Sequence, residues 1–144
     1  METEQEAGSD GMVDALVQAS FLTMAVLSKA GADDDLSLTQ LRVLGILRDR
    51  RLRMTALADY LGLEKSTLSG LIDRAEKRGL VERAPSASDR RAVDVFLSKA
   101  GTELAGRLYQ RVRRDLAPML SELAPPDQAR LRKLLEQLIG GREP

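Results

Sequence analysis

LEKSTLSGLIDRAEKRGLVER, residues 63–83, is the stretch on which the fold turns. Leu68, Leu71, Ile72 and Ala75 recur at the i, i+3, i+4, i+7 spacing of one helical face, so residues 65–77 form a helix with a single apolar stripe. Short polar side chains, Ser66, Thr67 and Ser69, crowd its front end beside Lys65. Gly79 stops the helix, and LVER continues as a strand. A helix that is narrow and hydrogen-bonding at its N-terminus can enter a groove end-on, where long apolar side chains would block approach. Its free N–H groups and positive dipole end favour phosphate.

The flanking sequence supplies a frame. Upstream, MTALADYLGL (54–63) places Leu57, Ala58 and Leu61 on one face, with Thr55 near the helix start and Gly62 at its end. Before it, SLTQLRVLGILRDR gives a helix capped by Thr39, with Leu41, Leu44 and Leu47 inward. Downstream, LVERA and AVDVFL form a two-stranded hairpin around the polar loop PSASDRR (85–91), with Val93, Val95 and Leu97 on a shared face. Ser98 caps a long helix carrying Leu104, Leu108, Val112 and Leu116, which Pro118 is expected to kink or end. A last helix puts Leu131, Leu134, Leu135, Leu138 and Ile139 on one side. Near the other terminus, MVDALVQASFLTMAVLSKA (12–30) has only Asp14 and Lys29 as charges. A helix apolar on nearly every face needs cover on several sides, which a partner subunit can provide.

This divides one compact domain into a disordered acidic tail (1–10), an N-terminal dimerisation helix (11–36), a winged helix-turn-helix region (37–98), and a long helix with a C-terminal dimerisation helix (99–144). The fold class is mostly α with a small β-hairpin.

Composition narrows the function. The 144 residues include no Cys and no His, which removes disulfides, thiol chemistry, ordinary zinc ligation and the commonest general base. Neither an enzyme, nor a cofactor, nor a metal site is expected. No apolar run reads as long enough to span a bilayer, so no membrane partner is expected, and the acidic start is unlike a signal peptide. The reading is cytoplasmic. Zero net charge hides a strong polarity: residues 1–41 carry one basic and eight acidic side chains, whereas residues 42–114 carry 17 basic and nine acidic. A basic middle suits a polyanion such as DNA.

Helix, glycine turn, polar-fronted helix and hairpin, in that order, make a helix-turn-helix followed by a wing whose loop carries Asp89, Arg90 and Arg91. Arginine at a hairpin tip can reach a narrow minor groove. Taken singly, Ser66 and Thr67 could equally be helix caps, and the two arginines ordinary loop charges; the conjunction is what is specific. LTQLRVLGIL, MTALADYLGLEKSTLSGLIDRAEKRGLVER, SDRRAVDVFLSKAG and LAPPDQARLRKLLEQL together resemble the multiple antibiotic resistance regulator (MarR) family over about residues 12–140.

The resemblance implies a homodimer with intertwined first and last helices, bound to a pseudo-palindromic operator in double-stranded DNA. It implies a transcriptional repressor released by a small-molecule effector. The helix 65–77 would read the major groove, and the wing 85–91, through Arg91, the minor groove. The DNA-binding set is Thr55, Lys65, Ser66, Thr67, Ser69, Arg74, Arg90 and Arg91. Asp73 and Asp89 would support it by orienting arginines, Arg74 among them, with Asp73–Arg91 as one pair. Two positions depart from the family pattern: Gly70 stands where many relatives carry a larger, often basic side chain, and Ala75 where Leu is usual. Glycine inside a helix costs roughly 0.5–1 kcal/mol relative to alanine, so Gly70 either allows close approach to DNA or leaves the helix pliable. Without Cys, a thiol-based peroxide sensor is excluded. Arg42, Arg48 and Arg107 could pair an anionic effector, and Phe21, Met24, Leu27 and Tyr60 could surround an apolar one, but the sequence singles out no ligand-binding residue. The alternative reading is a winged-helix module that contacts only proteins, which would need neither a basic wing nor a small polar helix start.

Overall fold

The computed structural model describes residues 2–142, with side chains from Gly8 onward. Its elements run α1 (Glu2–Ala32), α2 (Leu38–Leu47), β1 (Leu52–Arg53), α3 (Met54–Leu61), α4 (Lys65–Lys77), β2 (Val81–Pro85), β3 (Val93–Leu97), α5 (Lys99–Leu120) and α6 (Pro125–Ile139). The core is aliphatic and lies where α2, α3, α4 and the sheet meet. Leu47, Leu57, Leu68, Ile72, Val43, Val81 and Val95 are its fully buried side chains. The stripe on α4 is buried throughout: Leu68, Leu71, Ile72 and Ala75.

Glycine closes the two central helices for a conformational reason. Gly62 and Gly79 have φ of 65° and 73°, the left-handed region that L side chains disfavour. At the end of α4 the Leu80 N–H bonds back to the Ala75 carbonyl and the Gly79 N–H to that of Glu76, satisfying the helix's last acceptors. The chain then passes into β2, and Ser98 returns to the same turn. Its N–H donates to the Leu80 carbonyl (3.0 Å). Its hydroxyl donates to the Gly79 carbonyl (2.5 Å) and accepts from the Gly101 N–H (3.0 Å), capping α5. Gly101 is essential to this junction, because a Cβ there would lie 1.9 Å from the Leu80 carbonyl oxygen.

Several expectations need correction. The helix read as starting near residue 11 begins at Glu2, so the stretch read as a disordered tail is helical from there; Glu, Gln and Ala are good helix formers, and acidic residues suit the positive dipole end. Residue 1 lies outside the described residues. Ser37, not Thr39, caps α2: its hydroxyl accepts from the Gln40 N–H, and the Gln40 side chain accepts from the Ser37 N–H, the reciprocal arrangement that Ser-x-x-Gln encodes. The hairpin gains a third strand, giving the antiparallel order β1-β3-β2 with Leu52 opposite Val95. Of the shared face on β3, Val95 is buried but Val93, at the outer end, is 42% exposed. Helix α5 continues two residues past Pro118, where the missing N–H falls on an exposed stretch. Finally, the Gly8–Ala32 part of α1 contains 18 consecutive residues of mean hydropathy 1.5, so by length and composition this segment could cross a bilayer. The hydroxyls of Ser20 and Thr23 explain part of this, since they bond back to the carbonyls of Leu16 and Ala19 and present little polarity.

Helix α1 packs on α5 and α2, yet Met12, Val13, Leu16, Val17, Phe21 and Leu22 stay exposed along it. On α6 no residue is buried, and its apolar stripe faces outward.

Candidate nucleic-acid interface

The front of α4 is bare. Its cap position is Glu64, which makes no side-chain cap bond, so Ser66 and Thr67 are not caps either: they sit inside the first turn, exposed, beside exposed Lys65. The first N–H groups of the helix therefore have no side-chain partner among the described residues, which leaves the positive end of the dipole open to an anion. Ser66, Gly70 and Arg74 follow one another along the outward face at steps of four, and Thr67 lies three residues before Gly70. Leu68 and Ile72 behind them hold the helix to the core.

The helix is tied to the wing by Arg83, on β2, which sequence reasoning missed. Its Nη1 lies 2.7 Å from Asp73 Oδ1 and 3.4 Å from Glu76 Oε1. Its Nη2 donates to the Ser69 carbonyl at 3.2 Å. One half-buried guanidinium thus grips α4 at three points. Asp73 is therefore engaged by Arg83 and not by Arg91. Asp89 likewise orients no guanidinium among the described residues; its Oδ1 accepts the backbone N–H of Arg91 at 3.0 Å, shaping the wing turn.

Two further arginines brace the wing, Arg51 just before β1 and Arg53 on it. Arg51 donates to Asp94 Oδ2 (2.9 Å) and to the Pro85 carbonyl (3.4 Å) and lies over the Phe96 ring (4.5 Å to its centroid). That pairing accounts for an aspartate buried in mid-strand. Arg53 donates to Ser88 Oγ at 2.6 Å. Both arginines fall in RRLR, which carries no clear strand signal of its own.

Between α4 and the wing lies a groove of about 420 Å³. Of the candidate DNA-binding residues, Thr55, Lys65, Ser69 and Arg91 line it, together with Asp73, Arg53 and Arg83. Ser66, Thr67, Arg74 and Arg90 lie outside the groove, exposed beside it. Arg53, Lys65 and Arg91 make no ion pair among the described residues, so the groove is electropositive. It can hold a polyanion, with a helix N-terminus on one wall and a wing arginine on the other.

A second, larger cavity of about 580 Å³ opens between α1, α2, α3 and α5. Its lining is apolar except at the rim, where Arg42 lies over Tyr60 (5.3 Å) and Arg48 over Tyr109 (3.9 Å). Met24 and Leu27 reach it; Phe21 and Arg107 do not line it. Nearby, the Asp33–Asp35 turn is held from two sides. Arg111 pairs with Asp33, which raises the already high pKa of the guanidinium chiefly through their hydrogen bond. Arg78 donates to the carbonyls of Asp34 (2.7 Å) and Asp35 (3.1 Å).

Comparison with known proteins gives a consistent result. The family model for the MarR family matches residues 34–92. The chain is 34% identical over 115 residues to the uncharacterized HTH-type transcriptional regulator YfiV of Bacillus subtilis, spanning 74% of this chain and 72% of that protein. The apo form of MarR from Escherichia coli superposes with a TM-score of 0.71 at 25% identity, over 90% of this chain and 96% of that one. NadR, crystallised with 4-hydroxyphenylacetate, shares the fold with a TM-score of 0.75 at 24% identity, over 88% of this chain and 91% of that one.

Proposed function

The chain belongs to the MarR family of transcriptional regulators, and from that premise we propose that it acts as a homodimeric repressor, binding a pseudo-palindromic operator and releasing it when a small molecule binds. The observation that carries this reading is the electropositive groove, in which Lys65 and Ser69 from α4 and Arg91 from the wing converge with Arg53 and Arg83. In each protomer α4 enters the major groove front end first, and Ser66, Thr67 and Ser69 permit close approach. Arg91, with Arg90 beside it, reaches the adjacent minor groove, where negative potential is strongest. Thr55, Lys65 and Arg74 contact the flanking DNA. Asp73, through Arg83, and Asp89, through the wing turn, hold these groups in place.

Dimerisation is supported by the exposed apolar faces of α1 and α6, too long and continuous for solvent in a monomer. It also gives α1, long and apolar enough for a bilayer, a protein surface to pack on, consistent with a cytoplasmic regulator. The α1–α2–α5 cavity supports an effector site, since it is apolar within and cationic at the rim. NadR, which shares the fold, binds 4-hydroxyphenylacetate, an aromatic acid of the kind such a cavity would hold.

The test is fluorescence anisotropy on the intergenic DNA beside the gene, across several salt concentrations and against scrambled competitor. Tight binding that survives competitor and falls steeply with salt is expected. Equal, weak binding to both DNAs across that fragment and to a random duplex pool would refute the assignment.

A further inference from the structure

Arg53 stands where two local rules disfavour it. It occupies the N-cap of α3 and makes no side-chain cap bond, at a position where Ser, Thr, Asp or Asn would satisfy a free N–H. It also sets a cation at the positive end of that helix's dipole. No ion pair among the described residues offsets this, and the residue is exposed. Its surroundings separate it from the arginines nearby. Arg51 is paired with Asp94, and Arg83 with Asp73 and Glu76, so carboxylates cancel their charge. Arg53 is held by a neutral hydroxyl instead. Its Nη2 donates to Ser88 Oγ at 2.6 Å, and Ser88 Oγ lies 3.2 Å from the Oγ of buried Ser86. A hydroxyl fixes where a guanidinium lies without cancelling its charge. That bond uses one of five N–H donors, and the guanidinium makes no other among the described residues.

We propose that Arg53 binds a DNA phosphate, and that Ser88, backed by Ser86, holds it in the groove for that contact. This rests on the DNA-binding reading above and adds to it a residue and a kind of contact. With α4 in the major groove and the wing in the adjacent minor groove, the sugar–phosphate strand that separates the two must run between α4 and the wing. Arg53 lines the cleft at that place. A phosphate offers the guanidinium both negative charge and acceptor oxygens. It also brings an anion to the α3 end of the groove, where the dipole favours one. Both local rules that Arg53 breaks in the free protein are then answered in the complex. The contact is to the backbone, so Arg53 contributes affinity and register and no sequence preference.

The experiment is fluorescence anisotropy with the full-length protein, on the intergenic fragment and on a random-sequence duplex of equal length, across a range of salt. Arg53→Gln removes the charge and keeps a side-chain N–H for Ser88. It should weaken binding to both DNAs by a similar factor and reduce the slope of log K against log salt by about two per dimer, one phosphate for each protomer. Its melting temperature should be no lower than wild type, because a cation has left the positive end of α3. Arg53→Lys keeps the charge and should keep the slope. Ser88→Ala keeps the charge but not its anchor, so it should weaken both DNAs with the slope retained. The proposal is overturned if Arg53→Gln leaves the slope unchanged, if Arg53→Lys lowers it as Gln does, or if Ser88→Ala binds as tightly as wild type. A lower melting temperature for Arg53→Gln with an unchanged slope would make Arg53 a brace of the wing and nothing more. Wild type that binds neither DNA in a salt-dependent way would overturn the DNA-binding reading itself, and so is distinguishable from these.

Discussion

Arg83→Met tests whether recognition helix and wing act as one rigid body. The substitution keeps an unbranched apolar stem against the sheet and removes the charged head, and with it the contacts to Asp73 (2.7 Å), Glu76 (3.4 Å) and the Ser69 carbonyl (3.2 Å). Asp73 and Glu76 are 53% and 44% exposed, so solvent screening holds each ion pair to a few tenths of a kcal/mol up to about 1. The bond to the Ser69 carbonyl, from a guanidinium only 24% exposed, adds about 1 kcal/mol or slightly more. The sum is about 1.5–3 kcal/mol, or roughly 5–10 °C in Tm for a chain of this size at fixed protomer concentration. Asp73→Ala should then cost little in the Arg83→Met background, with a coupling energy of about 0.5–1 kcal/mol in the double-mutant cycle. Operator affinity should fall with the loss of alignment. The slope of log K against log salt should stay as in wild type, because Arg83 is occupied by protein and neutralises no phosphate. Strict additivity of the two substitutions, or a slope reduced by about one, would falsify the bracing role.

Arg91→Ala should weaken operator binding by about 1–3 kcal/mol and leave the dimer's mass unchanged in light scattering; full affinity would remove the wing contact. Gly101→Ala should destabilise by about 2–3 kcal/mol in urea unfolding, because a methyl 1.9 Å from the Leu80 carbonyl oxygen forces apart the β2–α5 junction; the gain of about 1 kcal/mol in helix propensity cannot offset that, and an unchanged midpoint would show the junction to be loose. Leu134→Glu with Leu138→Glu places charges on the α6 stripe, where both side chains are at least half exposed in the protomer; sedimentation should show monomer or aggregate, and an intact, soluble dimer would place the interface elsewhere.

What could be read from the sequence was what short-range periodicity writes. The α4 stripe needs only i, i+3, i+4, i+7 spacing, and its 65–77 bounds match the structure. The glycine turns at 62 and 79 need only the steric rule for positive φ. The contacts that bind the candidate site are of another kind. Arg51–Asp94 and Arg53–Ser88 join residues 43 and 35 apart, and both depend on where β1 docks, a two-residue strand with no pattern of its own. The same gap misassigned Asp73: Arg83 reaches it only because residues 81–85 run antiparallel to β3 beneath α4, whereas the sequence offered Arg91 with equal justice. Gly70 shows the two levels meeting. The sequence marked it as a glycine out of place in a helix and left two readings, close approach or pliability. The backbone there is regular helix, and among the described residues a methyl would meet just the Arg74 guanidinium, at an ordinary contact distance of 3.6 Å, so the protomer's own packing does not require the glycine.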